Sequence, residues 1–309
     1  MINRFDINEE VVCGYRVSSV RKKLWNIEMD MLDMLEETCK ANGLDYFLLF
    51  GSAIGAVRHD GFIPWDDDID IGMVREDFER FLTCNKSEFP DYIDIQYGVN
   101  EHGVDMLLRI RDARTTGIIN TELYKNGNKG AFIEIYPFDY VNDNHMRRIQ
   151  LKLSKKLCSV LNSKANNIPC VSKSDKVLEM IFRPFGVNKV WSLYMWVCKL
   201  QNRKKDRCEY VDTITLPVYA LKGNHLFKKE DVESSVMHKF EYTRVRIPKG
   251  YHNCLSIRYG DYMELPPIEE RGAHHNNVVF YDPDKPYEEY KDSDIPARYF
   301  AGDDSLDLL

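Results

Sequence analysis

Tyr46 to Met73, YFLLFGSAIGAVRHDGFIPWDDDIDIGM, is the stretch on which the rest of the chain depends. Tyr46 to Phe50 is an aromatic and aliphatic run suited to a buried strand, and Gly51-Ser52 breaks it where the backbone must turn sharply or meet a ligand. Ala53 to Arg58 then starts a short helix, whose free N–H groups beside Ser52 suit a phosphate. After the polar turn His59-Asp60-Gly61 comes Phe62-Ile63-Pro64-Trp65 and then four carboxylates, Asp66, Asp67, Asp68 and Asp70. Strand alternation puts Asp66, Asp68 and Asp70 on one face and Ile69 and Ile71 on the other. Carboxylates this close repel unless a cation sits between them, and hard divalent ions take oxygen ligands. Asp68-Ile69-Asp70 is therefore expected to be a Mg²⁺ site, with Mn²⁺ as the alternative. A bare D-x-D is common in solvated turns, but such a turn needs neither Trp65 before it nor an Ile-x-Ile spacing through it.

Two further strands carry candidate groups. In Asp105 to Arg111, Leu108 and Ile110 face one way, and Arg109 and Arg111 the other, where paired guanidinium groups suit phosphate oxygens. A salt-bridged surface strand is the competing reading. Ala131 to Asp139, AFIEIYPFD, repeats the construction of the acidic strand, with Glu134 isolated between Ile133 and Ile135.

The long motif resembles the signature of the LicD/fukutin-related phosphotransferase family. The residues that carry the resemblance are Gly51, Ser52, Gly55, Ala56, Arg58, His59, Gly61 to Ile69 without a break, and Asp70. Phe50 departs from the pattern, standing where the family usually has a glycine. The resemblance resumes at Tyr259-Gly260-Asp261-Tyr262-Met263-Glu264-Leu265-Pro266-Pro267. It implies an α+β, nucleotidyltransferase-like mixed sheet flanked by helices. It also implies transfer of a phospho-alcohol such as phosphocholine from a CDP-linked donor to a glycan hydroxyl, releasing CMP. On that basis Asp68, Asp70 and Glu134 are the expected metal-binding and catalytic carboxylates. Glu134 is the expected aid to deprotonation, and Asp139 a supporting residue at the turn after Pro137. Gly51, Ser52, Arg58, Arg109 and Arg111 are the expected donor-binding groups. Tyr259, Asp261 and Tyr262 form a possible substrate loop, whose aromatics suit a quaternary ammonium.

The chain has 309 residues, 44% hydrophobic and 29% charged, enough for a sizeable core. No apolar run of eighteen occurs and MINRFDINEE lacks a signal-peptide core, so a cytoplasmic protein is expected. The 8 Cys are scattered without ligand or disulfide spacing. The net charge of -7 hides a strongly basic stretch between His145 and Cys208. The expected organisation is a catalytic core over 1–142, a basic helical subdomain over 143–208, and a C-terminal part over 209–309 that completes the cleft. Helices are expected at 16–41, 75–84, 177–182, 190–200 and 251–259, with a first basic helix opening at Met146. Strands are expected at 92–97, 105–111, 115–119, 210–215, 219–221 and 241–247. The basic helices, with Trp191, Tyr194 and Trp196, suit the surface of an anionic membrane. No nucleic-acid module is visible. The adjacent His274 and His275 favour a structural or solvent role over metal. A D-x-D glycosyltransferase, an adenylyltransferase releasing pyrophosphate, and an inactive glycan-assembly scaffold are the competing readings.

Overall fold

A computed structural model describes residues 6–84, 89–119, 127–222, 225–271, 278–295 and 298. His274 and His275, and residues 299–309, lie outside them.

The hairpin β1 (Glu10–Val12) and β2 (Tyr15–Val17) leads into α1 (Ser19–Asn42). This helix starts where the Ser18 hydroxyl accepts the Arg21 N–H, and stops where Gly43 takes a left-handed conformation. Leu24, Ile27, Met31, Leu35 and Cys39 form its buried stripe. Next come β3 (Phe47–Leu48), α2 (Phe50–Ile54), β4 (Asp70–Val74), α3 (Arg75–Phe81), β5 (Ile93–Asn100), β6 (Gly103–Asp112) and β7 (Thr116–Ile119). The long strand β8 (Ala131–Val141) precedes three helices, α4 (His145–Asn166), α5 (Lys173–Phe182) and α6 (Val187–Cys198). The remainder comprises β9 (Tyr210–Asp212), α7 (Pro217–Ala220), β10 (Phe227–Lys228), α8 (Lys229–Val232), the hairpin β11 (Ser235–Phe240) and β12 (Thr243–Pro248), α9 (Tyr251–Tyr259) and β13 (Val278–Asp282).

The main sheet runs β10-β9-β8-β4-β3, with β6 also on β8 and β5 on β6. Only the β4–β8 pair in it is parallel, so the sheet is mixed and the fold is α+β, as expected for a nucleotidyltransferase-like chain. One face packs on α1, where Leu24, Ile27 and Met31 share a core with Ile71, Leu108, Ile110, Ile133 and Ile135. The other buries Phe47, Phe138, Val211 and Phe227. A further core joins Leu157, Leu161, Val190, Tyr194 and Val197 of α4 and α6 to Val104, Val141 and Ile214.

Several local expectations change. The strand expected over Tyr46 to Phe50 is only two residues long, because Phe50 takes φ 46° and turns the chain into α2. The helix thus begins three residues earlier than expected and continues as a π-helical turn, Gly55–His59. Residues 219–221 are not a strand, since 217–220 form α7. The strand expected over Glu241 to Ile247 is one arm of a hairpin that turns at Glu241, where φ is 51°. Of the three interfacial aromatics expected on α6, Tyr194 is fully buried and Trp191 packs edge-on against Tyr97, leaving Trp196 exposed. Part of the basic surplus is spent on the sheet domain: Lys199 pairs with Glu79, Lys205 with Glu76 and Arg147 with Asp212.

Candidate active site

The acidic loop is held from behind by α1. Arg21 Nη1 and Trp25 Nε1, one turn apart, both donate to the Asp66 carbonyl, at 2.8 and 3.0 Å. Trp25 stacks on Phe62 and Tyr15 meets Trp65 edge-on, so the Phe62-Ile63-Pro64-Trp65 run is a packed plug that fixes where the carboxylates emerge. The β11–β12 hairpin clamps the preceding turn. Phe62 N–H donates to Glu241 Oε1 at 3.0 Å, and Glu241 N–H donates to the Asp60 carbonyl at 2.7 Å. α1 therefore positions the acidic loop directly.

β4 begins at Asp70, so Asp66 and Asp68 precede the strand, yet they line one cleft together with Asp70. Its other walls are Phe50, Gly51, Tyr136, His225, Arg258 and Tyr259, around a volume of about 140 Å³. A Cβ at Gly51 would meet the Asp66 carboxylate and force it to shift, so the glycine leaves that carboxylate its place. Ser52 is buried, and its hydroxyl accepts the Asp70 N–H at 2.9 Å, which fixes the first residue of β4. The amide expected to await an anion is committed differently: Ala53 N–H donates to the Leu49 carbonyl at 2.9 Å.

The electrostatics are strained. Burial, reinforced by Asp70, Asp66, Asp67 and Glu134, pushes Asp68 well above the usual carboxylate range. Asp70 is pushed up by burial, then by Glu134 and Asp66, with the neighbouring Tyr136 hydroxyl acting the other way. Oδ1 of Asp70 is buried without a hydrogen-bond partner. One oxygen from each of Asp66, Asp67 and Asp68 lies within 4.8 Å of the others. The converging carboxylates of Asp66, Asp67 and Asp68, with the orphaned Asp70 oxygen on a residue that lines the same cleft as Asp66 and Asp68, fit a hard divalent cation. Glu28 of α1, fully buried and with both oxygens unbonded, adds to the crowding; burial, then Asp67 and Asp66, pushes its carboxyl well up.

Glu134 lies opposite Asp70 in the parallel β4–β8 register. Its own oxygens are engaged, Oε1 accepting Arg109 Nε at 2.7 Å and Oε2 accepting the Tyr136 hydroxyl at 2.9 Å. Arg109 thus faces Glu134 and packs over Phe132, rather than lining the cleft. Arg111, on the same strand face, is fully buried: it donates to the Gly130 carbonyl and to Gln96 Oε1, each at 2.8 Å. Alternation placed the two arginines on one face correctly, but the chain covers that face. Arg58 donates to the Tyr262 and Glu264 carbonyls, at 2.7 and 3.1 Å, tying the π-helical turn to the C-terminal loop. Tyr262 is buried beside Ile54, Trp65 and Leu255 and bonds His252 at 3.1 Å, so it is core rather than a closing aromatic. Asp261 is exposed and caps the local turn through Met263 N–H at 3.3 Å. Tyr259 does line the cleft. Asp139 lies far along β8 from Glu134 and forms a buried two-pronged ion pair with Arg75, with both contacts at 2.8 Å.

The cleft contains two groups that the sequence reading did not single out, His225 and Arg258. Arg258 lies over the Phe50 ring at 4.0 Å, and its Nε donates to the Tyr259 hydroxyl at 2.9 Å. Its Nη1 meets His225 Nε2. Guanidinium only donates, so Nε2 must accept, and the imidazole proton sits on Nδ1, 2.6 Å from Thr213 Oγ1. Burial, then Arg258, holds His225 down at about 3, so it is neutral in this arrangement. Phe50, the departure from the glycine of the family pattern, supplies the platform beneath this arginine. Adjacency to Tyr259-Gly260 was the one clue in the sequence to Arg258.

Residues 43–163 match the family described as LicD/FKTN/FKRP, nucleotidyltransferase domain. This match falls on the same stretch that carries the resemblance read from the motif, and it supports that reading. The LicD match spans the acidic loop, Glu134, Arg109 and the start of the helical part, whereas Arg258 and His225 lie beyond it. The chain is 28% identical over 258 residues to the lipopolysaccharide cholinephosphotransferase LicD of Haemophilus influenzae, covering 80% of this chain and 92% of that one. It is 34% identical over 79 residues to the mouse ribitol 5-phosphate transferase FKRP, covering 20% of this chain and 16% of that one. It is also 42% identical over 71 residues to an uncharacterized protein, RP689, of Rickettsia prowazekii, covering 23% and 26%. Among the described residues no helix is long and apolar enough to cross a membrane.

Proposed function

We propose that this chain is a metal-dependent phosphotransferase that moves a phospho-alcohol, phosphocholine or a related phospho-polyol, from a CDP-linked donor to a glycan hydroxyl, releasing CMP. The observation that carries the reading is the cleft itself, which Asp66, Asp68 and Asp70 line together with Arg258. Carboxylates alone would repel a diphosphate and arginine alone would not hold a cation; together they suit a cation–diphosphate pair. The relatives named as cholinephosphate and ribitol 5-phosphate transferases support the class of group transferred. At about 140 Å³ the cleft suits the diphosphate and leaves the nucleoside and the acceptor to the surface around Tyr259.

Asp68 and Asp70, with Asp66 beside them, would hold Mg²⁺ or Mn²⁺. The ion would supply Lewis-acid stabilisation of charge on the phosphoryl oxygens and the leaving phosphate. Arg258, held in place by His225, Phe50 and Tyr259, offers its guanidinium to the same oxygens and is preorganised for them. Tyr136 lines the cleft and donates to Glu134, so the acceptor proton has a route through the Tyr136 oxygen to Glu134 as the hydroxyl attacks phosphorus. Arg109 holds the Glu134 carboxylate in place beside Tyr136.

The test is incubation of the chain and Mg²⁺ with a glycan acceptor and, separately, CDP-choline, CDP-ribitol and UDP-sugars, with mass spectrometry of the products. CMP and a phosphodiester-bearing glycan are expected from a CDP-alcohol. UDP release from a UDP-sugar with no CMP would replace the reading by a glycosyltransferase.

A further inference from the structure

Helix α5, Lys173–Phe182, has no buried residue. Its inner side, Leu178 and Phe182, is half-buried against the core of α4 and α6. A second apolar face points outward: Val177 is 53%, Met180 67% and Ile181 58% exposed. Val171 before the helix and Phe185 after it extend the same character at both ends. A helix that meets only water carries polar residues at such positions.

The charges around this face have one sign. Lys173, Lys176, Arg183 and Lys189 are exposed. The two acids of α5 are engaged within the fold: Asp175 pairs with Lys156 at 3.4 Å and Glu179 accepts from Ser163. An apolar centre rimmed by long cationic side chains matches an anionic lipid surface, where methyl groups enter the acyl boundary and the lysine and arginine heads stay at the phosphates. A protein partner would need acidic side chains arranged to fit, whereas a lipid surface supplies a mobile negative charge everywhere.

We infer that the outer face of α5 is a peripheral docking surface for an anionic bilayer. The placement differs from the one read off the sequence, which relied on the aromatics of α6. It is independent of the chemistry proposed for the cleft, and turnover on a water-soluble acceptor does not need it.

The test is co-sedimentation of the full chain with phosphatidylglycerol–phosphatidylcholine vesicles and with pure phosphatidylcholine vesicles, at low and high salt. Binding to the anionic vesicles alone, weakened by salt, is expected. Met180→Glu/Ile181→Glu is expected to lower the bound fraction about ten-fold with the melting temperature unchanged, and Lys173→Glu/Lys176→Glu to do the same. Equal recovery with both vesicle types, or wild-type binding by both variants, overturns the inference. Dimerisation lost in the apolar variant, without vesicle binding by the wild type, would also overturn it and assign the face to a second copy of the chain.

Discussion

Asp70→Asn separates stability from chemistry at the point where they conflict. Asp70 and Glu134 are register partners on adjacent strands, and Asp66 shares the cleft. Neighbouring strands lie about 4.8 Å apart, so two such carboxylates about 5–6 Å apart repel by roughly 3 kcal/mol at an effective dielectric near 20. The Arg109 bond to Glu134 offsets part of this, leaving about 1–2 kcal/mol to be released when the Asp70 charge is removed. For a chain of 309 residues that is a rise of about 2–3 °C in Tm. With chelator present, Asp70→Asn should therefore melt above the wild type, while its turnover falls by at least about 10³-fold. Mg²⁺ should raise the wild-type Tm and leave the variant nearly unmoved. Thermal melts in EDTA and in Mg²⁺, run beside the CMP-release assay, supply every number. A variant that melts lower without metal and still turns over would refute the crowded-carboxylate account of the cleft.

Arg258→Ala should cut phosphoryl transfer by about 10²–10³-fold with little change in Tm, and Arg258→Lys should recover only part of it because the fork to His225 and phosphate is lost; steady-state kinetics on both variants decide. His225 gives the protein a pH dependence whose sign is fixed. Its folded value of about 3 lies below the usual 6.5, so as pH falls the unfolded chain takes the proton first and stability drops. Between pH 6 and pH 4 this contributes a loss of about 2–3 kcal/mol that His225→Asn should abolish, measured by denaturant melts at each pH. Asp139→Ala strands the buried Arg75 and should cost about 3–5 kcal/mol of stability. Near-wild-type stability in a urea titration would remove the ion pair as a structural element.

The acidic loop was legible because its information is local: four carboxylates, a packed aromatic before them and alternating isoleucines are all visible within ten residues. The α1 stripe and the whole of α9 were legible for the same reason, since helical periodicity needs no partner. Arg58, Arg109 and Arg111 show where local reading ends. Their chemistry suits phosphate, but their partners, carbonyls 204 and 206 residues away, Glu134 and Gly130, are set by tertiary packing. Arg258 and His225 were missed because they reach the cleft from the far end of the chain. Phe50 hides twice: a bulky residue in the left-handed region contradicts propensity, and its ring serves a cation some two hundred positions later.

β8 is the common seam of the molecule. Its first half pairs with β4 and β6 at Glu134, and its last three residues pair with β9, which belongs to the C-terminal part. A cut after residue 142 would strip the end of that strand of its neighbour and expose Phe138 and Tyr140 to water. Deletion mapping should therefore find activity indivisible, with protease nicks in exposed loops tolerated only while both pieces stay zipped along one ribbon.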